Sequence, residues 1–219
     1  MDLLDAAHLL TLADGGPGGS GGSGRGIAVA VLVERRPPPP ETVLRQLLAR
    51  EAEVPSEDVE LRYGCPECGA RHGRPVVEYP TTHSGAGWFG DALMLGGVLV
   101  AAVGLRRRIG IGLAAVDAAA PALDRAAFHP VEAAALAAAP EQDIPLLRAA
   151  MWARKSAVIR ALGHSGLLEP SAIALEPTAP GHPAAIVRTV PELGAGWEQA
   201  RAHDVPVPDG RVAAIATLP

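Results

Sequence analysis

The sequence predicts an α+β fold built as two similar lobes, a pseudo-dimer in one compact unit. The first lobe covers residues 1–105 and the second 106–219. Three observations lead there. Hydrophobic residues make up 48% of the 219 and charged residues 20%, so the chain can bury a core and is not globally disordered. A β-branched apolar run, a helical spacing of apolar residues and short strand-like runs follow one another before residue 106, and the same succession returns after it. Aromatic residues are only 3%, so the cores are filled by Ala, Leu and Val.

The elements follow in order. Gly15 to Gly24 (GGPGGSGGSG) lacks apolar side chains and carries the full entropic cost of glycine, so it reads as a flexible loop. Ile27 to Glu34 (IAVAVLVE) reads as a strand. Pro37 to Pro40 make a stiff break, and Glu41 to Ala52 places Val43, Leu44, Leu47 and Leu48 at helical spacing. Val59 to Arg62 and Pro75 to Tyr79 read as short strands, with a polar turn from Pro80 to Gly87. Ala92 to Leu105 reads as a hairpin turning at Gly96-Gly97.

After the Arg106-Arg107-Arg108 turn, Ile109 to Val116 begins a new strand. Pro130 to Ala139 is an Ala-rich helix. Ile144 to Leu162 is the strongest helical pattern, with Leu146, Leu147, Met151, Val158, Ile159 and Leu162 expected on one side and Gly163 as its stop. Ala184 to Thr189 and Arg211 to Leu218 read as strands.

Composition narrows the function. Lys and Arg number 19 against 24 Asp and Glu, a formal charge of −5, which argues against a protein built to grip nucleic acid. The start, Met1-Asp2-Leu3-Leu4-Asp5, has no basic segment of the kind that opens a signal peptide. The longest apolar run, Leu93 to Leu105, is too short to span a bilayer and reads as buried strand. The expectation is a cytoplasmic protein with neither membrane nor nucleic-acid partner.

Single motifs say little. Cys65-Pro66-Glu67-Cys68 supplies two ligands where a structural zinc needs four. It reads as a tight loop with two reduced thiols, with zinc completed by His72 and His83 as the alternative. Gly110-Ile111-Gly112 is too short for a phosphate-cradling fingerprint. His129, His164, His182 and His203 read as surface or capping residues. Arg106 to Arg108 reads as a solvated turn, one that would attract a phosphate under a second reading.

Taken together, three pieces are more specific. His72-Gly73-Arg74-Pro75, Thr82-His83-Ser84, and Ile109-Gly110-Ile111-Gly112 with the later Trp152-Ala153-Arg154-Lys155-Ser156 run into Arg160 and Gly163 stand in a fixed order. In that order the chain resembles the Sfp-type 4′-phosphopantetheinyl transferases over about residues 25–219. The family shows a Gly-Lys/Arg-Pro turn, a Ser-His-Ser strand end, a Gly-Ile-Asp-x-Glu strand and a Trp-x-x-Lys-Glu-x-x-x-Lys helix ending in Gly. The resemblance implies coenzyme A in a cleft between lobes, a magnesium ion held by carboxylates, and attack by a carrier-protein serine on the β-phosphate. Charge neutralisation and positioning would supply most of the catalysis. It implies Arg74 at the adenosine portion, Thr82 and His83 at the phosphates, and Lys155 and Arg160 as basic residues facing the ligand.

The departures from the family pattern fall on the metal site. Its Asp is Gly112 here, its second carboxylate Ala114, and its helix Glu Ser156. Magnesium prefers anionic oxygen, and one serine hydroxyl is a poor replacement. The expectation is no metal site and no required cofactor, with coenzyme A or phosphopantetheine as a ligand and magnesium only under the alternative of an active transferase. Restoring carboxylates at 112, 114 and 156 together is expected to restore magnesium binding. Two readings of the small residues stand side by side. Gly110, Gly112 and Ala114 either open a pocket for an organic ligand or simply pack tightly.

Function at this level is a repurposed transferase fold. It would act on a small-molecule intermediate of a polyketide or nonribosomal-peptide pathway, free or on an acyl or peptidyl carrier protein, by acid–base chemistry such as cyclisation or isomerisation. His83 is the acid–base candidate, and Lys155 and Ser156 are candidate oxyanion or enolate donors. Arg74, Thr82, Arg160, Gly112 and Ala114 would contact the ligand. The alternatives are an active holo-[acyl-carrier-protein] synthase, a non-catalytic carrier-protein or coenzyme A partner, and an unrelated Ala-rich protein.

Overall fold

In the computed structural model the chain divides between Ile109 and Gly110 into two units, Met1–Ile109 and Gly110–Pro219. The structure describes residues 3–12, 26–64, 69, 74–82, 84–117, 121–163, 168–188, 197–208 and 210–218. The fold is mixed helix and sheet, as the composition and periodicity predicted.

The first unit holds β1 (His8–Leu12), β2 (Ile27–Val33), α1 (Pro40–Ala52), β3 (Glu60–Arg62), β4 (Val76–Tyr79), β5 (Trp88–Leu95) and β6 (Val98–Leu105). Four strands make an antiparallel sheet in the order β1-β2-β6-β5, and β3 pairs with β4 separately. The β5–β6 register runs from Trp88 opposite Leu105 to Leu95 opposite Val98. It is set by a two-residue turn in which Gly96 (φ 56°) and Gly97 (φ 85°) are both left-handed. That is the conformation a tight hairpin demands and glycine supplies without steric cost. β1 was not foreseen, because its HLLTL run is short and borders the Gly-rich segment.

α1 starts at a proline, whose missing N–H would have had no helical partner at that position. It ends at Glu53 in the left-handed region (φ 58°), whose N–H closes back on Ala49 and Arg50 carbonyls. The core of this unit is aliphatic: Val43, Leu44, Leu47 and Leu48 of α1, wholly buried, meet Ala30, Leu32, Leu99, Ala101 and Val103 of the sheet.

The second unit takes most of β7 (Arg108–Ala115), then α2 (Asp124–Ala127), α3 (Pro130–Ala138), α4 (Ile144–Leu162), β8 (Ala174–Leu175), β9 (Ala184–Arg188), β10 (Arg201–Val205) and β11 (Arg211–Leu218). Its sheet order is β7-β11-β10-β9-β8. Both units therefore share one connectivity. A strand leads into a helix, and a later pair of adjacent strands returns with its last member beside the first strand: β2-β6-β5 in one unit, β7-β11-β10 in the other. β8 and β10 escaped the sequence reading, the first because it is two residues long and the second because Arg201, His203 and Asp204 break its apolar pattern.

α4 stops where expected, at Gly163 with φ 84°, its N–H bonded to the Arg160 carbonyl. Its buried side is not the one expected. Leu146 is 42% exposed. From Ala149 to Leu162 every residue but Trp152, Ser156 and Arg160 is buried. The core beneath it is made largely of alanine: Ala149, Ala153, Ala157 and Ala161 of α4 with Ala114, Ala184, Ala200, Ala202, Ala214 and Ala216.

Candidate functional site

The positions that the sequence assigned to a site fall in both units, and each group is described within its own unit. His83 lies outside the described residues, as do Cys65, Cys68, His72 and Gly73.

In the first unit, Arg74 lies just before β4 with its guanidinium 5.2 Å from the centroid of the Phe89 ring. A cation over the face of an aromatic ring is attracted by the ring's quadrupole. Thr82 is half-buried in the turn after β4. Its hydroxyl donates to the Ala86 carbonyl at 2.8 Å and lies 3.2 Å from Ser84 Oγ. Thr81 and Gly87 pair across the base of this turn. The two carboxylates nearest in sequence are committed elsewhere: Glu78 pairs with Arg62, and Asp91 is buried, accepting from the Ala92 N–H at 2.9 Å.

In the second unit the small residues of β7 are packing residues. A β-carbon at Gly112 would stand 1.9 Å from the Ala153 carbonyl oxygen, and one at Gly110 would stand 2.2 Å from the Ala157 oxygen and the Ala161 nitrogen. Both strand positions press directly on the α4 backbone. Ala114 continues the same face and is buried with Ala149 and Ala153. Of the two readings left open, close packing is the observed one, and the direction of the Gly112 side chain holds no ligand space.

Lys155 is also placed differently from the expectation of a residue facing a ligand. It is completely buried, its ammonium paired with the equally buried Glu132 and donating to the Ile173 carbonyl at 2.9 Å. The Phe128 ring lies 5.6 Å away. Burial pushes the Lys155 ammonium below its usual range, and the Glu132 carboxylate opposes that shift. Glu132 does two further things. One oxygen accepts from the Leu175 N–H at 3.1 Å, and the other from the His129 N–H at 2.7 Å. His129 in turn caps α3, its Nδ1 accepting from Val131. One ion pair thus ties α3, α4 and the start of β8.

The neighbouring Arg154, which the sequence reading left unassigned, is 1% exposed. It grips Asp204 of β10 through Nε at 2.8 Å and Nη2 at 2.7 Å. It also donates to the carbonyls of Thr178, Ala179 and His182. A buried guanidinium with this many acceptors is satisfied structurally rather than held for a ligand. Only a deep wall of acceptors beyond the helix would have revealed it, and those come from residues distant in sequence.

Between Ala149 and Leu162, what α4 leaves uncovered is a row one turn apart, Trp152, Ser156 and Arg160. Ser156 and Arg160 are half-buried, and Trp152 is 37% exposed. Of the residues assigned on this helix, Ser156 and Arg160 stand on its accessible row and Lys155 does not. Trp152 stands on the same row.

The residues that would stand for a magnesium site do not fit the ion. Position 112 has backbone where a carboxylate would go, Ala114 has no oxygen, and Ser156 offers one hydroxyl. Among the described residues no group of three His, Cys, Asp or Glu is placed to hold a metal. The expectation that three restored carboxylates would recover the metal is corrected by the same contact, since Gly112→Asp collides with the Ala153 carbonyl before it reaches any ligand geometry.

No family model matches the chain, and no curated protein matches it. Among solved structures it is similar to the holo-ACP-synthase from Plasmodium yoelii, with 14% identity, a TM-score of 0.38, and coverage of 50% of this chain and 91% of that one. Among the described residues no helix is long and apolar enough to cross a membrane.

Proposed function

We propose that this protein is a phosphopantetheinyl-transferase-like protein that works without the family's metal carboxylates. In this reading it holds a coenzyme A- or carrier-linked pathway intermediate for acid–base chemistry. The ordered Gly73-Arg74-Pro75, Thr82-His83-Ser84 and Trp152-to-Gly163 motifs support the family side of the reading. The observation that carries the metal-free side is the contact of Gly112 with the α4 backbone, which leaves no room for the acid that gives the family its ion. Catalytic roles contract accordingly. His83 is the acid–base candidate and Ser156 the hydroxyl donor, while Arg160 and Trp152 contribute the rest of the accessible row. Lys155 becomes a positioning residue that fixes α4 through Glu132.

The test has two arms. Intact-mass analysis of an apo carrier protein incubated with this protein, coenzyme A and magnesium is expected to show no holo-protein. Calorimetry with coenzyme A and with holo carrier protein is expected to show binding to at least one. Efficient holo-protein formation overturns the metal-free reading, and absence of binding to both probes overturns the family reading.

A second reading, a non-catalytic partner of carrier proteins, draws on the withdrawal of the Lys155 ammonium into the core. His83→Ala separates the two: it abolishes conversion of the pathway intermediate if the protein is an enzyme and leaves it unchanged if it is a scaffold.

A further inference from the structure

β10 has two unlike faces. Ala202 lies in the alanine core beneath α4, and Asp204 is held by Arg154 of that helix. Alternation along the strand therefore turns Arg201 and His203 to the opposite face. β11 behaves alike: Ala214 and Ala216 join the core under α4, so Ile215 and Thr217 share the face of Arg201 and His203. The register sets Arg201 opposite Thr217 and His203 opposite Ile215. Directly opposed side chains in an antiparallel pair start about 5 Å apart and diagonal ones about 7–8 Å. A guanidinium, an imidazole and a hydroxyl thus stand around one small area of sheet.

All three have polar atoms to spare. Arg201 Nη1 donates to the Glu198 and Ala200 carbonyls at 2.6 and 2.7 Å, which pins the guanidinium. Its Nε and Nη2 have no partner among the described residues, nor have the His203 ring and the Thr217 hydroxyl. Among the described residues the only buried side-chain polar atom without a partner is Arg211 Nε, so the spare atoms of Arg201, His203 and Thr217 open to solvent. Arg201 and His203 are half-buried and Thr217 is 6% exposed. Contacts made there are better shielded from bulk water than those of a fully exposed arginine.

Charge narrows what fits. Burial and then the Arg201 charge push the His203 imidazole below its ordinary value, with Asp204 opposing. At about pH 7 the ring is neutral, and one of its nitrogens accepts a hydrogen bond. Arg201 then supplies a single positive charge, which matches a monoanion better than a phosphate dianion.

We infer that Arg201, His203 and Thr217 form a second binding site, for a small monocarboxylate with a hydroxyl on the adjacent carbon. Nε and Nη2 of Arg201 donate side by side to the two carboxylate oxygens. The Thr217 hydroxyl donates to one of those oxygens, and His203 accepts from the ligand's hydroxyl. No covalent step is involved. The site lies wholly within the second unit, uses none of the motifs behind the proposed function, and is independent of it.

The experiment is an NMR titration of the full chain at about pH 7.5 and constant ionic strength, with sodium lactate and separately with sodium acetate, which lacks the hydroxyl. The His203 ring signals, assigned by their loss in His203→Leu, are expected to shift with lactate. Acetate is expected to bind about two- to tenfold more weakly, as the loss of one neutral hydrogen bond implies. Arg201→Gln is expected to weaken both about tenfold or more, through loss of the charge-assisted pair. His203→Leu, followed by the Thr217 amide signal, is expected to bring lactate down to the acetate level. Thermal midpoints establish that the variants fold. Lactate that leaves the His203 ring and the Thr217 amide of wild type unmoved overturns the site, and that arm needs no variant. A folded Arg201→Gln that binds lactate as tightly as wild type overturns it too. Equal affinity of wild type for lactate and acetate removes the hydroxyl from the ligand and His203 from the site.

Discussion

The two units run the same connectivity on opposite packing materials. In the first, α1 meets its sheet through leucine and valine: Leu44, Leu47 and Leu48 against Leu32, Leu99 and Val103. In the second, α4 meets its sheet through alanine and glycine, and Gly110 and Gly112 bring the β7 backbone against the helix backbone. The difference has an energetic consequence. An alanine buries much less apolar surface than a leucine, and stabilisation scales with that area, about 25 cal/mol per Å². The alanine-built unit then uses long polar chains where the first uses aliphatic ones. Arg154 and Lys155, both buried, tie α4 to β10, α3 and the start of β8 through Asp204 and Glu132. Buried ion pairs specify which elements meet, and breaking one exposes the cost of the charge left behind.

The comparison can be broken most decisively at that ion pair. Lys155→Ala leaves the Glu132 carboxylate buried without its cation and is expected to cost about 3–5 kcal/mol. The double variant Lys155→Met with Glu132→Gln is expected to recover part of the loss, because it removes both charges and keeps one amide oxygen to accept from either the His129 or the Leu175 N–H. Urea unfolding monitored by circular dichroism reads both. Equal losses for single and double variants would mean that the charges themselves are not what holds α4.

Next comes the aliphatic counterpart. Leu47→Ala in α1 should cost about 2–5 kcal/mol through a cavity in the first core, measured by the same unfolding curves. A loss near zero would show that this core collapses around the gap.

The third test sharpens the packing contrast directly. Gly112→Ala puts a methyl 1.9 Å from a helix carbonyl, where only backbone can yield, and should cost about 1–3 kcal/mol or more. Gly104→Ala in the first unit meets chiefly the tip of Ile109, Cδ1 at 2.9 Å, which can turn aside, so its cost is expected to be below about 1 kcal/mol. Equal costs at the two glycines would show that helix backbone and the Ile109 side chain yield equally to an added methyl.

The smallest effect is a pH dependence confined to the second unit. His203 on β10 is pushed below its ordinary value of 6.5 by burial and by the Arg201 charge, with Asp204 opposing. A base with a lowered folded value binds its proton more readily when unfolded. Its contribution to stability is therefore complete above about pH 6.5 and is lost as pH falls below it. His203→Asn should flatten thermal midpoints between about pH 5 and 7 relative to wild type. An unchanged pH profile would remove His203 from the acid response.

Much of the scaffold was legible in the chain. The Gly96-Gly97 turn, the proline-led start of α1 and the Gly163 stop are local signals whose physics is complete within a few residues, and each lies where the pattern placed it. The aliphatic face of α1 was legible for the same reason, since Val43, Leu44, Leu47 and Leu48 define a stripe. The face of α4 was not. Its alanines are neither clearly apolar nor polar, so periodicity assigned the inside to Leu146, which is exposed, while Lys155, which the family resemblance set facing a ligand, is buried.

What the sequence by itself determined is the long helices and the apolar strands, the turn at Gly96-Gly97 and the stop at Gly163, and the absence of acids at 112, 114 and 156. Tertiary structure decided what those small residues are for and which cations stay accessible. The reason is that a glycine or alanine has no preference of its own for core or cleft. Only the partner that arrives against it, here the α4 backbone at Gly110 and Gly112, turns missing side chains into contact rather than space.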